Sequence, residues 1–156
     1  MFELDSLIPA DPALPPLRKA RENAPRLWLR FDQIKVPAGF PSPAAGYEDG
    51  QLDINEYLVR NPVSTFFFTV QGDSMEGAQI FDGDLLVVDR SVTATHGSIV
   101  IAFVNGERLV KCLQITEGEG VALVSANPLY PPLNITEGCE LLVWGVVIGK
   151  FRRLPA

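Results

Sequence analysis

The run QGDSMEG, residues 71–77, sets a serine in a loop directly after an apolar segment, and RLVKCLQ sets a lysine between leucines. Ser74 and Lys111 are the residue types from which a nucleophile and its base can be built. A serine hydroxyl attacks poorly until a neighbouring base takes its proton, and a lysine can be that base only when neutral. At an ordinary pKa near 10.4 about one lysine in 2,500 is neutral at pH 7, so the chemistry needs burial to disfavour the ammonium form. The two-residue period of a strand puts Lys111 on one face with Leu109 and Leu113, a setting that partly buries it. Each residue also has a plain structural reading. Gly-Asp-Ser after a strand is turn chemistry, and a lysine on an edge strand snorkels to water. The pair carries catalytic meaning only if the fold brings the two together. His96, followed by glycine in THGS, reads as a turn residue, and a Ser-His-Asp triad built on it has no motif behind it. Cys112 and Cys139 stand 27 residues apart without CxxC or Cys/His spacing, so neither a zinc site nor a structural disulfide has support. No cofactor is expected.

A second stretch, VPAGFPSPAAG at 36–46, holds three prolines. Each biases the residue before it towards extended geometry, so Val36, Phe40 and Ser42 should all be extended. The segment reads either as a domain linker or as a protease substrate, since a peptide must be extended to lie in a cleft and Gly39 permits close approach to its backbone.

The elements that must position these residues are mainly β. TFFFTVQ, DLLVVD, SIVIAFV, ERLVKCLQI, VALVSA and ELLVWGVVIGKF are rich in β-branched and aromatic residues and are separated by Gly, Asp, Asn or Pro. Asn105-Gly106 joins two of them and predicts a type I′ hairpin turn. One short helix is expected from about Asp53 to Arg60, started by a capping box of Asp53 and Glu56 with Leu52 and Tyr57 as a hydrophobic staple, and stopped before Pro62. Upstream, residues 1–25 have several prolines and no sustained period, and read as a weakly ordered tail. In RLWLRFD, Leu27, Leu29 and Phe31 alternate with Arg26, Trp28 and Arg30, the period of a half-buried strand that should dock on the body or on a second copy.

A chain of 156 residues with 47% apolar composition can build a single core with residues left for an arm. Its net charge is −6, and residues 39–156 hold seven basic against fourteen acidic side chains, whereas 1–38 is nearly balanced with six against five. An acidic body repels phosphates, so a protein partner is expected rather than direct DNA binding. Glu3 and Asp5 interrupt the first apolar run, which is unlike a signal peptide, and no span approaches the roughly 20 apolar residues of a membrane helix. A cytoplasmic protein is expected.

GFPSPAAGY, QGDSM, DGDLLVVD, TATHGSIVIA and VKCLQ follow one another in the order and spacing of UmuD-type proteins. Over roughly residues 36–150 the chain resembles this branch of the LexA-like, Ser-Lys self-cleaving peptidase family. The 37 residues from Ser74 to Lys111 match the family's serine-to-lysine interval, and Gly39, 35 residues before Ser74, stands where UmuD-like chains have the residue after their cleaved bond. The resemblance implies a LexA/signal-peptidase-like β body, 39–156, and a mobile N-terminal arm, 1–38, removed by self-cleavage. It makes Ser74 the nucleophile, Lys111 the general base, Ala38-Gly39 the scissile bond, and the backbone amides near Asp73, Ser74 and Met75 the oxyanion hole. A cysteine often precedes the cleaved bond in such chains where Ala38 stands here, and both fit a small pocket. The partners implied are a second copy of the chain, the RecA filament on single-stranded DNA, and a UmuC-like Y-family polymerase for error-prone translesion synthesis in the SOS response. Three rivals are a LexA-like or phage-type repressor, a non-cleaving docking subunit and a signal peptidase. The 38 proline-containing residues before the site make a poor helix-turn-helix domain, and a signal peptidase needs a membrane anchor.

Overall fold

The computed structural model describes residues 18–32, 38–39, 49–118 and 120–155. The tail 1–17 and the extended geometry expected of Val36, Phe40 and Ser42 lie outside the described residues.

Among the described residues the strands are β1 (Arg18–Lys19), β2 (Leu29–Asp32), β3 (Asp49–Leu52), β4 (Thr65–Thr69), β5 (Leu85–Asp89), β6 (Ile99–Val104), β7 (Glu107–Thr116), β8 (Gly120–Val124), β9 (Leu133–Ile135) and β10 (Leu141–Phe151). Eight form one sheet in the order β1-β4-β5-β10-β6-β7-β8-β9, with every neighbouring pair antiparallel. The β-rich runs of the body thus become strands as their composition demands, and the fold is the mainly β, LexA-like body expected. Asn105 and Gly106 have φ of 49° and 86° and close the two-residue hairpin in which Val104 faces Glu107, the positive pair that a type I′ turn requires.

β10 is the spine. It runs between β5 and β6, and its register slips between Val143 and Gly145 and again between Val147 and Gly149. Such bulges bend a strand, and the first turns Trp144 into the core, edge-on to Phe66 and Phe68 at ring separations of 5.0 and 5.1 Å. Alternation along β6 feeds two cores: Ile101 joins Phe68, Met75, Leu86 and Trp144, while Val100, Ala102 and Val104 join Leu113 and Leu123. The first core lies beneath the serine loop.

The helix α1 (Ile54–Leu58) is shorter than the 53–60 expected. Asp53 caps it, accepting from the amides of Asn55 and Glu56 at 2.8 and 3.1 Å, and Val59 has already left helical geometry at φ −113°, ψ 98°. Tyr57 is 72% exposed, so no staple with Leu52 closes, and a single turn is all that the cap supports.

The arm differs most from expectation. Within the supposed tail, Arg18 and Lys19 pair with Phe67 and Phe66 on the edge of β4, and the Ala20 amide extends the ladder to the Thr65 carbonyl at 3.0 Å. A free sheet edge recruits whatever backbone can reach it, which periodicity in the arm cannot reveal. RLWLRFD is a strand only over Leu29–Asp32, paired with β3, and Leu27, Trp28 and Leu29 are exposed rather than half-buried. A two-stranded ribbon offers them no facing layer. The Leu27 amide donates to Asp53 Oδ2 at 2.7 Å, so one carboxylate holds both the helix start and the arm.

Candidate active site

The chain leaves β4 through Val70, turns at Gly72 (φ +90°), and enters a tight turn from which Ser74 projects. The Gly72 amide donates to Asp82 Oδ1 at 2.8 Å. Glu76 N donates to Asp73 O and Ala78 N to Met75 O at 3.2 and 3.0 Å, building a 3-10 turn, Glu76–Ala78, that ends at the left-handed Gln79. Met75 is 1% exposed and plugs the turn into the first core, which keeps its neighbour Ser74 half-buried at the rim.

The loop after β8 clasps this turn from the other side. Gly77 N donates to Ala126 O at 2.6 Å, Asn127 Nδ2 to Asp73 O at 3.1 Å, and the Tyr130 hydroxyl to the Asp73 carboxylate. A Cβ built on Gly77 would lie 2.3 Å from Ala126 O, so glycine is required for this approach. Asn127 Oδ1 in turn accepts from Leu129 N at 3.0 Å, fixing its own loop.

Lys111 comes from β7 opposite Val100 of β6, one residue before the pairing with β8 begins at Cys112. Its Nζ is 2.7 Å from Ser74 Oγ and 5.9 Å from the centre of the Tyr130 ring. Leu113 on the same face is buried and Leu109 half-buried, as the alternation predicted. Burial pushes the Lys111 amine below its ordinary pKa, which is the direction a base requires. Both side chains line a cavity of about 330 Å³ whose walls include Phe68, Val70, Ile101 and Arg108. Among the described residues the amides of Asp73, Ser74 and Met75 donate to no protein acceptor. A neutral lysine at this distance is placed as a base for a serine hydroxyl must be.

Ala38 and Gly39 are exposed bend residues, and a Cβ on Gly39 would meet no atom within 4 Å. His96 accepts from Ile115 N at 3.1 Å through Nδ1 and is an exposed turn residue. Cys112 and Cys139 are free. Asn127 and Tyr130 had no signal in the sequence beyond the Asn-Pro and Pro-Pro punctuation of ANPLYPP, because their partners lie 54 and 57 residues away. Among the described residues no helix is long and apolar enough to cross a membrane.

The Peptidase S24-like family model matches residues 31–148, a span that holds Ser74, Lys111 and Ala38-Gly39. The chain belongs to the S24-like peptidases. It is 47% identical over 120 residues to Protein MucA of Escherichia coli, covering 76% of this chain and 81% of that one. Protein SamA of Salmonella typhimurium is 46% identical over 113 residues, 72% of this chain and 77% of its own. The LexA repressor of Acidithiobacillus ferrooxidans is 38% identical over 121 residues, 76% of this chain but 58% of the repressor. These relatives make it a UmuD-like member of the S24 family, a family of self-cleaving serine peptidases tied to the SOS response.

Proposed function

We propose that this S24 peptidase cuts its own chain once, between Ala38 and Gly39, with Ser74 as nucleophile and Lys111 as general base. The observation that carries the reading is the 2.7 Å contact between Lys111 Nζ and Ser74 Oγ beside a cavity, with burial favouring the neutral amine. Neutral Lys111 takes the hydroxyl proton as Oγ attacks the Ala38 carbonyl carbon. The amides near Asp73, Ser74 and Met75 receive the oxyanion. On collapse the C–N bond breaks, the lysine proton passes to the Gly39 nitrogen, and residues 1–38 remain as an ester on Ser74. Lys111 then deprotonates a water that hydrolyses the ester.

Because Ala38 and Gly39 stand exposed, the bond must move into the cleft before it is cut. A gate of this kind lowers the rate by the fraction of molecules docked, and a partner that favours the docked form raises it. We assign that role to the RecA filament on single-stranded DNA, in the cytoplasm. The cut leaves β1 on β4, β2 on β3 and Leu27 on Asp53 held by non-covalent contacts alone, so the arm can then dissociate. A cavity of about 330 Å³ lined by Ala20, Ala24, Arg26, Val59 and Phe67 lies where the arm meets the body. The shortened chain, as a homodimer, is the subunit of an error-prone UmuC-like Y-family polymerase. Incubation with RecA, ATP and single-stranded DNA, followed by intact mass, tests the regulated step: cutting should accelerate only with the full filament. An unaltered rate removes RecA from the account, and no cutting at all leaves a docking subunit that keeps the fold.

A further inference from the structure

Arg108 shares the cavity with Ser74 and Lys111, and nothing in the serine-lysine chemistry uses it. It faces Phe103 across the β6–β7 hairpin. Its guanidinium carbon lies 5.2 Å from the centre of the Phe68 ring and 5.4 Å from that of Phe103. Its Nε is buried without an acceptor, and among the described residues Arg108 forms no ion pair. Burial lowers its pKa as it does that of Lys111. Such a site has several N–H donors and a charge partly removed from water, and among the described residues no protein oxygen receives them. Two aromatic faces hold a cation in position but accept no conventional hydrogen bond.

The segment to be cut is complementary to that donor set. Pro37, Pro41 and Pro43 have no N–H, so VPAGFPSPAAG brings more carbonyl oxygens than amide donors and cannot form a full ladder along a strand edge. Its spare acceptors need donors from the cleft. Resting on the self-cleavage reading above, we propose that Arg108 is a substrate-positioning residue: its guanidinium, held by Phe68 and Phe103, donates to main-chain carbonyls of segment 36–46 when that segment enters the cavity.

The test uses the full chain and three readouts: self-cleavage, labelling of Ser74 by a fluorophosphonate, and protection from that label by an added peptide of residues 33–46. Arg108→Gln should cut at least about tenfold more slowly and need at least about tenfold more peptide for protection, because a charge-assisted donor to the substrate is lost. Its labelling without peptide should stay within about twofold of wild type, since the serine and its base are untouched. Arg108→Lys, which keeps the charge but not the fork, should fall between the two. Wild-type cutting in Arg108→Gln, unchanged peptide protection, or labelling that falls in step with cutting would each overturn the proposal, the last by marking Arg108 as merely structural. A wild-type chain that neither cuts nor labels refutes the serine-lysine reading itself, and the Arg108 proposal falls with it.

Discussion

Gly77→Ala perturbs the serine turn without touching a reacting group. The added methyl would start 2.3 Å from Ala126 O, whereas real Cβ contacts do not fall below 3.0 Å, so the two backbones must part by at least about 0.7 Å. The parting lengthens the 2.6 Å bond from Gly77 N to Ala126 O and pulls Asn127 from Asp73, the residue preceding the nucleophile. Overpacking of this size costs about 1–3 kcal/mol, which lowers Tm by about 2–12 °C in a domain of this length. The effect on cutting should be larger. A catalytic group displaced by about 1 Å loses about a hundredfold in rate, and Ser74 rides on the displaced turn. Self-cleavage followed by intact mass, with a thermal melt of the same sample, measures both. Gly77→Ala that melts and cuts like wild type would refute the argument that the clasp from 126–130 places the serine.

Gly39→Val should leave Tm unchanged, because no atom lies within 4 Å of its Cβ, yet slow cutting at least about tenfold as a β-branched residue crowds the cleft; equal rates by intact mass would show that the bond lies elsewhere. The spontaneous rate should rise with pH through the depressed pKa of Lys111 and level off, and a flat profile from about pH 6 to 10 in folded protein would exclude lysine as the base. Because the unfolded lysine binds its proton more tightly than the native one, stability should also rise with pH between the depressed native value and the ordinary 10.5. Lys111→Met should therefore be more stable than wild type in urea at neutral pH, and the gap should narrow near pH 10; a less stable variant contradicts the sign. The cleaved chain should bind the polymerase more tightly than uncleaved Ser74→Ala, by up to about a hundredfold if the arm covers the site 99% of the time, and equal affinities in titration would show that the cut unmasks nothing.

What the sequence revealed follows from how local each signal is. Strands of the body carry their β-branched composition in their own residues, and the Asn105-Gly106 turn is encoded by two adjacent side chains, so both were legible. The pairing of Ser74 with Lys111 is not local, and became legible only through the family's 37-residue interval. Arg18–Lys19 on the β4 edge, and Asn127 and Tyr130 on the serine turn, depend on backbone or loop partners far along the chain and leave no period to read. The arm misled for a related reason. Leu27 and Leu29 alternate with Arg26 and Trp28 as a buried face would, yet both are exposed, because alternation states which residues share a side and not whether anything covers it.

The most direct measurement is the intact mass of purified full-length protein held alone at alkaline pH, beside Ser74→Ala and Lys111→Ala shown by melting to be folded. Wild type should resolve into two species whose masses correspond to residues 1–38 and 39–156, and both variants should remain whole. Fragments from folded Ser74→Ala, or a wild-type cut at any bond other than Ala38-Gly39, would contradict the account.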